Sequence, residues 1–244
     1  MLKRKLFYFP GMFVAGTDYY ETKTDLIQRM SRLGIDFTIA KRQNGIPISI
    51  RALFWKIFLN DHLAKDEEFY ILGYSDGGVS TRLMLNEFPS IAERCKVHIS
   101  SASPHWGTPK AAKYAKLLED CIFLSPSQKK IAQELTPDSM IEFNKQNPNI
   151  DSIHYFSIPT YIDDWRKARL LTLPSYFSMN QSHGPNDGTV PFSSQLWGAR
   201  LESIKGDHQA CGSPHFKYGG HSPWFKVFEI AVDALIQYER EECK

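Results

Sequence analysis

Short apolar runs alternate with longer stretches of helical spacing from the start of the chain to about residue 104. Four runs bounded by turn residues predict buried strands: KLFYFPG (5–11), IDFTIA (35–40), FYILGYS (69–75) and KVHISSASP (96–104). Between them, apolar residues three or four apart predict helices over 24–34, 49–65 and 77–88, the first with Thr24 as its N-cap and Gly34 as its end. This alternation is typical of crossover units and a parallel sheet.

The alternation stops near residue 109 and resumes toward the end of the chain. Residues 110–148 predict helices without a strand, and residues 159–188 predict a long loop rich in aromatic side chains. Two more strands are predicted, IHYFSI (153–158) and ARLESIKG (199–206), before an amphipathic helix over 222–242. We therefore predict one α/β domain over residues 1–244, with a mostly parallel sheet of about six strands flanked by helices and a helical insertion at 110–148.

A serine lies between glycines where the third predicted strand meets its helix. Ser75 is the centre of a G-x-S-x-G pentapeptide, and strand, tight turn and helix form the context that a nucleophile elbow requires. The glycines leave room for a close approach of strand and helix, and the helix N-terminus favours negative charge nearby. We predict that Ser75 is a nucleophile and that the backbone N–H of Asp76 donates to the oxyanion of a tetrahedral intermediate. A plain glycine turn is the alternative.

A serine nucleophile needs a base, and that base needs an orienting acid, in the chain order Ser, Asp or Glu, His. Asp187 lies in an Asn-Asp-Gly turn downstream of Ser75 and is the favoured acid. The rivals are Asp163 and Asp164, which follow the strand at 153–158 more directly. A turn aspartate that only holds its own backbone is the structural alternative for Asp187.

The predicted base is His208, the first histidine after the last predicted strand. His215 and His221 lie in the same loop before the closing helix and remain alternatives. His208 is favoured because it directly follows the strand, so the shortest stretch of loop places its side chain at the end of the sheet. The required order of the three catalytic residue types is then satisfied.

The second oxyanion donor should come from the loop after the first strand. Gly11 lets the backbone turn there, and Met12 would present its N–H to the site. Aromatic side chains suited to an apolar acyl group are predicted as substrate contacts at Phe13, Tyr74 and Trp106, although core packing explains each of them at least as well.

Composition narrows the possible partners. The formal net charge is +2 and the basic residues form no long block, so no nucleic-acid partner is predicted. No run reaches the eighteen apolar residues of a membrane helix. The apolar N-terminal run is broken by Pro10 and Gly11, which favours a first strand over a signal peptide. The four cysteines are scattered and lack metal-ligand spacing, so we expect no disulfide framework and a cytoplasmic location.

Four separated blocks together resemble the α/β-hydrolase superfamily, and within it the bacterial triacylglycerol lipases and esterases: PGMF, GYSDGG, SASPHWGTP and NDGTVPFSSQLWG. The resemblance implies the α/β-hydrolase fold, a Gly-Met oxyanion turn and a mobile lid or cap formed by residues 110–148. Secreted relatives often hold a structural calcium near the acid. Asp163, Asp164 and Asp187 offer oxygen ligands, but no ligand pattern stands out, so neither a metal nor a cofactor is predicted.

The predicted function is hydrolysis of carboxylic esters through an acyl-enzyme on Ser75, with a small-molecule ester or a lipid as substrate. The same residues would also serve an amidase, a thioesterase or an acyltransferase. A different class of protein, a non-catalytic receptor that uses the fold to bind a small ligand, would not need all three groups of the triad. A third class is an interaction module that uses the aromatic-rich loop at 159–188 as its docking surface. Contact of this protein with a lipid surface would be transient at most.

Overall fold

The computed structural model of the chain describes residues 2, 4–11, 19–41, 43, 45–119, 130–131 and 133–244. Its strands are β1 (Lys5–Phe9), β2 (Phe37–Ile39), β3 (Phe69–Tyr74), β4 (Cys95–Ser101), β5 (His154–Ile158), β6 (Thr160–Tyr161), β7 (Ala199–Arg200) and β8 (Ile204–Lys205). Its helices are α1 (Tyr19–Arg32), α2 (Ile48–His62), α3 (Asp76–Glu87), α4 (Pro89–Ala92), α5 (Pro109–Glu119), α6 (Pro137–Gln146), α7 (Leu173–His183), α8 (His208–Gly212) and α9 (Trp224–Glu242).

A six-stranded sheet with strand order β2-β1-β3-β4-β5-β7 forms the centre of the molecule. Every neighbouring pair in it is parallel, and β3 pairs with β4 along its whole length and with β1 from Phe69 to Gly73. The prediction of a parallel sheet of about six strands flanked by helices is confirmed. Parallel strands end at the same edge, so the loops after β1, β3, β4 and β5 meet there.

Helices cover both faces of this sheet. Successive residues of a strand point to opposite faces, and β1 follows that rule. Leu6 and Tyr8 belong to a core that also contains the buried side chains of α1 and α9, whereas Phe7 and Phe9 pack with α2 and α3 on the other face. Burial on both faces explains why the strands are continuous apolar runs rather than alternating ones.

Three sequence predictions about the elements are wrong. Thr24 lies inside α1, which begins at Tyr19, so it is not the N-cap. The last predicted strand is split, because β7 completes the large sheet while β8 pairs with β6 in a separate two-stranded sheet. The predicted loop at 159–188 contains β6, two 3-10 turns and helix α7, whose Pro174 lies in its first turn, a position that proline tolerates.

The predicted insertion at 110–148 is described at its two ends, and neither contains a strand. α5 follows the loop after β4, and α6 packs on the body of the domain. Met140 of α6 is fully buried in a cluster with Ile48 and Val79, and so contacts the helix that follows β3. Within the described part of the insertion, α6 is therefore docked against α3, and movement of residues 110–148 as a lid stays a prediction.

Candidate active site

The turn at Ser75 is strained in the way that a nucleophile elbow requires. Ser75 has φ 54° and ψ −131°, a region that non-glycine residues rarely adopt. Its N–H donates to the carbonyl of Ser101 at the end of β4 (2.8 Å), and helix α3 begins at the next residue. The side chain thus leaves the carboxyl edge of the sheet directly in front of a helix N-terminus.

The neighbouring glycines make this turn possible by removing side chains at backbone contacts. A Cβ on Gly73 would lie 2.5 Å from the Cα of Gly78, and a Cβ on Gly77 would lie 2.3 Å from the carbonyl oxygen of Phe9. These atoms are backbone in the sheet and helix, and they cannot move aside as a flexible side chain would. The glycine cluster is therefore required by the close approach of β3, α3 and β1.

Gly77→Ala is expected to destabilise the protein by about 3 kcal/mol or more, because its methyl group overlaps the backbone of β1. The matched control is Gly184→Ala, whose φ of +72° is also unfavourable for alanine but whose Cβ would meet nothing within 4 Å. With ψ at −146°, backbone strain alone should cost that variant about 1–3 kcal/mol, less than the overlap in Gly77→Ala. Urea denaturation measures both values, and equal losses would contradict the steric explanation.

Ser75, His208 and Asp187 form one hydrogen-bonded chain. The Oγ of Ser75 lies 3.0 Å from Nε2 of His208, and Nδ1 of His208 lies 2.7 Å from Oδ2 of Asp187. The carboxylate only accepts, so Nδ1 carries the ring proton and the neutral ring accepts the Ser75 hydroxyl proton at Nε2. The structure thus brings together the three residues that the sequence favoured as nucleophile, base and acid.

Asp187 is completely buried, and every described partner of its carboxylate is a donor. Oδ1 accepts from the N–H groups of Thr189 (2.9 Å) and Val190 (2.7 Å), and Oδ2 accepts from the Thr160 hydroxyl (2.8 Å) as well as from His208. Donors on both oxygens hold the carboxyl group in one orientation. We call residues 186–189 the acid turn.

Thr160 and Gln195 support the acid, and sequence reasoning missed both. The amide oxygen of Gln195 accepts from Thr160 N–H (2.7 Å), while its NH₂ donates to the carbonyls of Thr160 (2.9 Å) and Val190 (3.1 Å). Thr160 follows β5 closely, so its place at a strand end was a usable signal. Nothing in the local sequence distinguishes Gln195 from other polar loop residues, because its partner Thr160 lies 35 residues away along the chain.

The rival acids and bases have other surroundings. Asp163 accepts from the Tyr218 hydroxyl (2.6 Å), and Asp164 caps a 3-10 turn and pairs with Arg166 at the surface. These hydrogen bonds lower the pKa of both carboxyl groups below their usual value. His215 and His221 are exposed, whereas the ring of His208 is buried beside Ser75.

Tyr74 lies beneath the histidine and not on a surface open to substrate. It is fully buried, its ring centroid is 5.4 Å from that of His208, and its hydroxyl donates to the His208 carbonyl. Burial raises the pKa of Tyr74 well above its ordinary value, so the hydroxyl stays a donor. We therefore replace the expected substrate contact of Tyr74 by a supporting role for the His208 backbone.

The remaining predicted contacts are placed only in part. Met12 and Phe13 lie outside the described residues, but Gly11 before them is close to the nucleophile, since a Cβ there would lie 2.7 Å from Cβ of Ser75. The loop after β1 therefore reaches the elbow. Trp106 is 47% exposed, and its indole N–H donates to the carbonyl of Leu196 (3.2 Å).

Asp76 forms a buried ion pair that the sequence did not indicate. Its carboxylate pairs with the guanidinium of Arg51 from α2, and both residues are about 1% exposed. Arg51 also donates to the carbonyl of Ile46 (2.8 Å). The carboxylate of Asp76 additionally borders Gly11, as a Cβ on that glycine would lie 3.0 Å from Oδ1. The first residue of α3 is thereby tied to α2 next to the loop after β1.

Arg82 of α3 anchors the last turn of α6 and the residue that follows that helix. It is buried, its guanidinium lies 3.4 Å from the ring centroid of Trp197, and it donates to Asn144 (2.9 Å) and to the carbonyl of Asn147 (2.8 Å). Burial lowers the pKa of Arg82 to about 9. Burial, and then the charge of Arg82, lower the pKa of the adjacent His105 well below its ordinary value, so this imidazole is neutral.

Two kinds of feature are absent from the described residues. No group of three or more His, Cys, Asp or Glu side chains among them is arranged to hold a metal ion. Within the same residues, no helix combines the length and the apolarity needed to cross a membrane.

Comparison with known proteins identifies the fold. No family model matches the sequence, and no curated protein matches it. Among solved structures, a metagenomic carboxyl esterase superposes with a TM-score of 0.82 at 17% identity, covering 96% of this chain and 76% of that one. Staphylococcus hyicus lipase (TM-score 0.69, 12% identity, 99% and 97% covered) and a mature Bacillus licheniformis lipase (0.67, 16%, 93% and 91%) are also similar. The chain has the α/β-hydrolase fold of these bacterial lipases and esterases.

Proposed function

We propose that the protein is a serine hydrolase that cleaves carboxylic esters. The observation that carries this proposal is the hydrogen-bonded chain from a strained serine through His208 to a fully buried aspartate. A buried carboxylate, a histidine with a defined tautomer and a hydroxyl at a helix N-terminus are the parts that acyl transfer requires. The similar solved structures are a carboxyl esterase and lipases, which supports esters as the substrate class.

The reaction begins with proton transfer from Ser75 Oγ to Nε2 of His208 as the oxygen attacks the ester carbonyl. The imidazolium formed is stabilised by Asp187, whose carboxylate holds Nδ1–H. The negative charge that develops on the carbonyl oxygen lies at the N-terminus of α3, where the Asp76 N–H, with Met12 as the second proposed donor, stabilises it. His208 then protonates the leaving alcohol, and water releases the acid from Ser75 by the same steps.

A fluorophosphonate probe tests the nucleophile directly. We expect it to add one phosphonyl group to the wild-type protein, to be found on Ser75 by peptide mass spectrometry, and to leave Ser75→Ala unlabelled. The matched control is Ser80→Ala, which removes a buried hydroxyl group from the same helix, α3. The Ser80 hydroxyl accepts a hydrogen bond from the indole N–H of Trp55 (2.9 Å), and none of its described hydrogen bonds is to His208. Labelling should persist there.

Substrate class is tested with p-nitrophenyl esters of rising chain length, with the corresponding anilides and thioesters alongside. Ser75→Ala should reduce the kcat for the best ester by at least about 10³-fold. If the wild-type protein were not labelled, or if Ser75→Ala were labelled equally, the assignment of Ser75 as the nucleophile would be refuted. Faster turnover of the anilide or the thioester would overturn esters as the preferred class.

A further inference from the structure

Two consecutive leucines, Leu170 and Leu171, project into solvent near the acid turn. Leu170 is 82% exposed and Leu171 is 85% exposed, the largest exposures of any large apolar side chain among the described residues. They lie on a 3-10 turn, Leu170–Thr172, that leads directly into α7. Core packing does not account for two adjacent leucines that are both more than 80% exposed on a structured turn.

The backbone on both sides of these leucines is fixed to the candidate site. On one side, the N–H of Arg169 donates to Oδ2 of Asp207 (3.3 Å), the residue before His208. On the other side, Thr172 is buried against the acid turn, since a Cβ on Gly188 would lie 1.9 Å from its Cγ2. The two leucines therefore stand at the edge of the sheet where Ser75 lies, held by both of the loops that supply its partners.

Two exposed aromatic side chains flank the leucines along the chain. Trp165 and Phe177 are 48% and 43% exposed, and their ring centroids are 5.8 Å apart. We call residues 165–172 the leucine loop. Indole rings favour the boundary between water and lipid, because one part of the ring is apolar and its N–H is polar.

The charge around the leucine loop is predominantly positive. In the described part of the chain, five cationic side chains lie on the loop or on the segments packed beneath it: Arg166, Lys167, Arg169, Lys205 and Lys217. Three carboxylates oppose them: Asp163, Asp164 and Asp207. Asp207 is fully buried, whereas Arg166 and Lys205 remain 74% and 62% exposed at their side chains, so positive charge dominates the outer surface.

We propose that the leucine loop docks the protein on an anionic phospholipid surface, with Leu170 and Leu171 inserted among the acyl chains. Apolar insertion and attraction between basic residues and anionic headgroups each give weak binding, and together they give a stable but reversible one. Because the loop is fixed to the acid turn and to the residue before His208, docking would present the carboxyl edge of the sheet to the membrane. This surface extends beyond the proposed hydrolysis and is testable without it.

The test uses full-length Ser75→Ala, so that turnover cannot alter the lipid, and co-sedimentation with vesicles of phosphatidylcholine containing 30% phosphatidylglycerol. We expect Leu170→Glu/Leu171→Glu to weaken partitioning by about 100-fold, because two leucines are replaced by two anions. Lys167→Gln/Lys217→Gln should weaken it about 10-fold or more, and 0.5 M NaCl or pure phosphatidylcholine should weaken it similarly. The matched control is Leu33→Glu, which changes a leucine 58% exposed before β2, at the opposite end of the strands.

Several outcomes would overturn the proposal: no binding of the parent to anionic vesicles, equal losses for the leucine-loop and Leu33 variants, or binding indifferent to headgroup charge and salt. Sedimentation velocity without lipid tests whether the leucine loop is instead an interface between two copies of the chain. A parent protein that dimerises and a leucine-loop variant that stays monomeric would favour that interface over lipid docking. In an otherwise wild-type background, Leu170→Glu/Leu171→Glu should hydrolyse a soluble short-chain ester normally, which shows that the site is intact. Failure of ester hydrolysis alone would refute the proposed function and leave the vesicle result standing.

Discussion

Asp187→Asn is expected to lower the kcat for a p-nitrophenyl ester by about 10³- to 10⁴-fold while the protein stays folded. The amide keeps the shape of the carboxylate, and its oxygen can still accept from Thr189 and Val190. Its NH₂ group, however, would face Nδ1 of His208, where the carboxylate now accepts. The imidazole would then carry its proton on Nε2 and could no longer accept the proton of Ser75.

The control for this prediction is Asp164→Asn, at the acid that the sequence left as a rival. Asp164 bonds to Arg166 at the surface, so its loss should change kcat by less than about twofold. Initial rates and circular dichroism are measured on both variants. If Asp164→Asn lost most of its activity while Asp187→Asn kept a normal kcat, the assignment of Asp187 as the acid would be refuted.

Arg51→Met is expected to reduce the free energy of unfolding by about 3–5 kcal/mol, because it leaves the carboxylate of Asp76 buried without its ion-pair partner. Activity should fall as well, since the first residue of α3 is held by this pair beside the nucleophile. The double variant Arg51→Met/Asp76→Asn should regain part of the stability, because an uncharged amide is less costly to bury than a carboxylate. Urea denaturation gives the free energies.

The matched control here is Arg29→Met. Arg29 pairs with Glu229, but both side chains are close to half exposed, so the loss should stay below about 1 kcal/mol. The importance of the buried pair would be refuted if Arg51→Met and Arg29→Met cost the same, or if the double variant were no more stable than Arg51→Met alone.

Much of this fold follows from patterns that act over a few residues. Continuous apolar runs indicate strands buried on both faces, and the alternation with helices indicates parallel pairing, which the six-stranded sheet confirms. The failures lie where a local signal competed with a distant partner. Residues 199–206 divide between two sheets, because β7 pairs with β5 while β8 pairs with β6. No residue within this segment indicates that the strand is interrupted.

Among site residues, the sequence by itself determined where a hydroxyl, an imidazole and a carboxylate stand in the order that the fold requires. Ser75 was accessible to such reasoning because the steric need for glycines beside it is local, and it is visible in the contacts of Gly73 and Gly77. Tertiary structure alone decided what surrounds them. The clamp of Gln195 on Thr160 and the pairing of Arg51 with Asp76 join residues 35 and 25 positions apart, respectively. Such partners are chosen by burial and by hydrogen-bond geometry, which exist only once the sheet and its helices have come together.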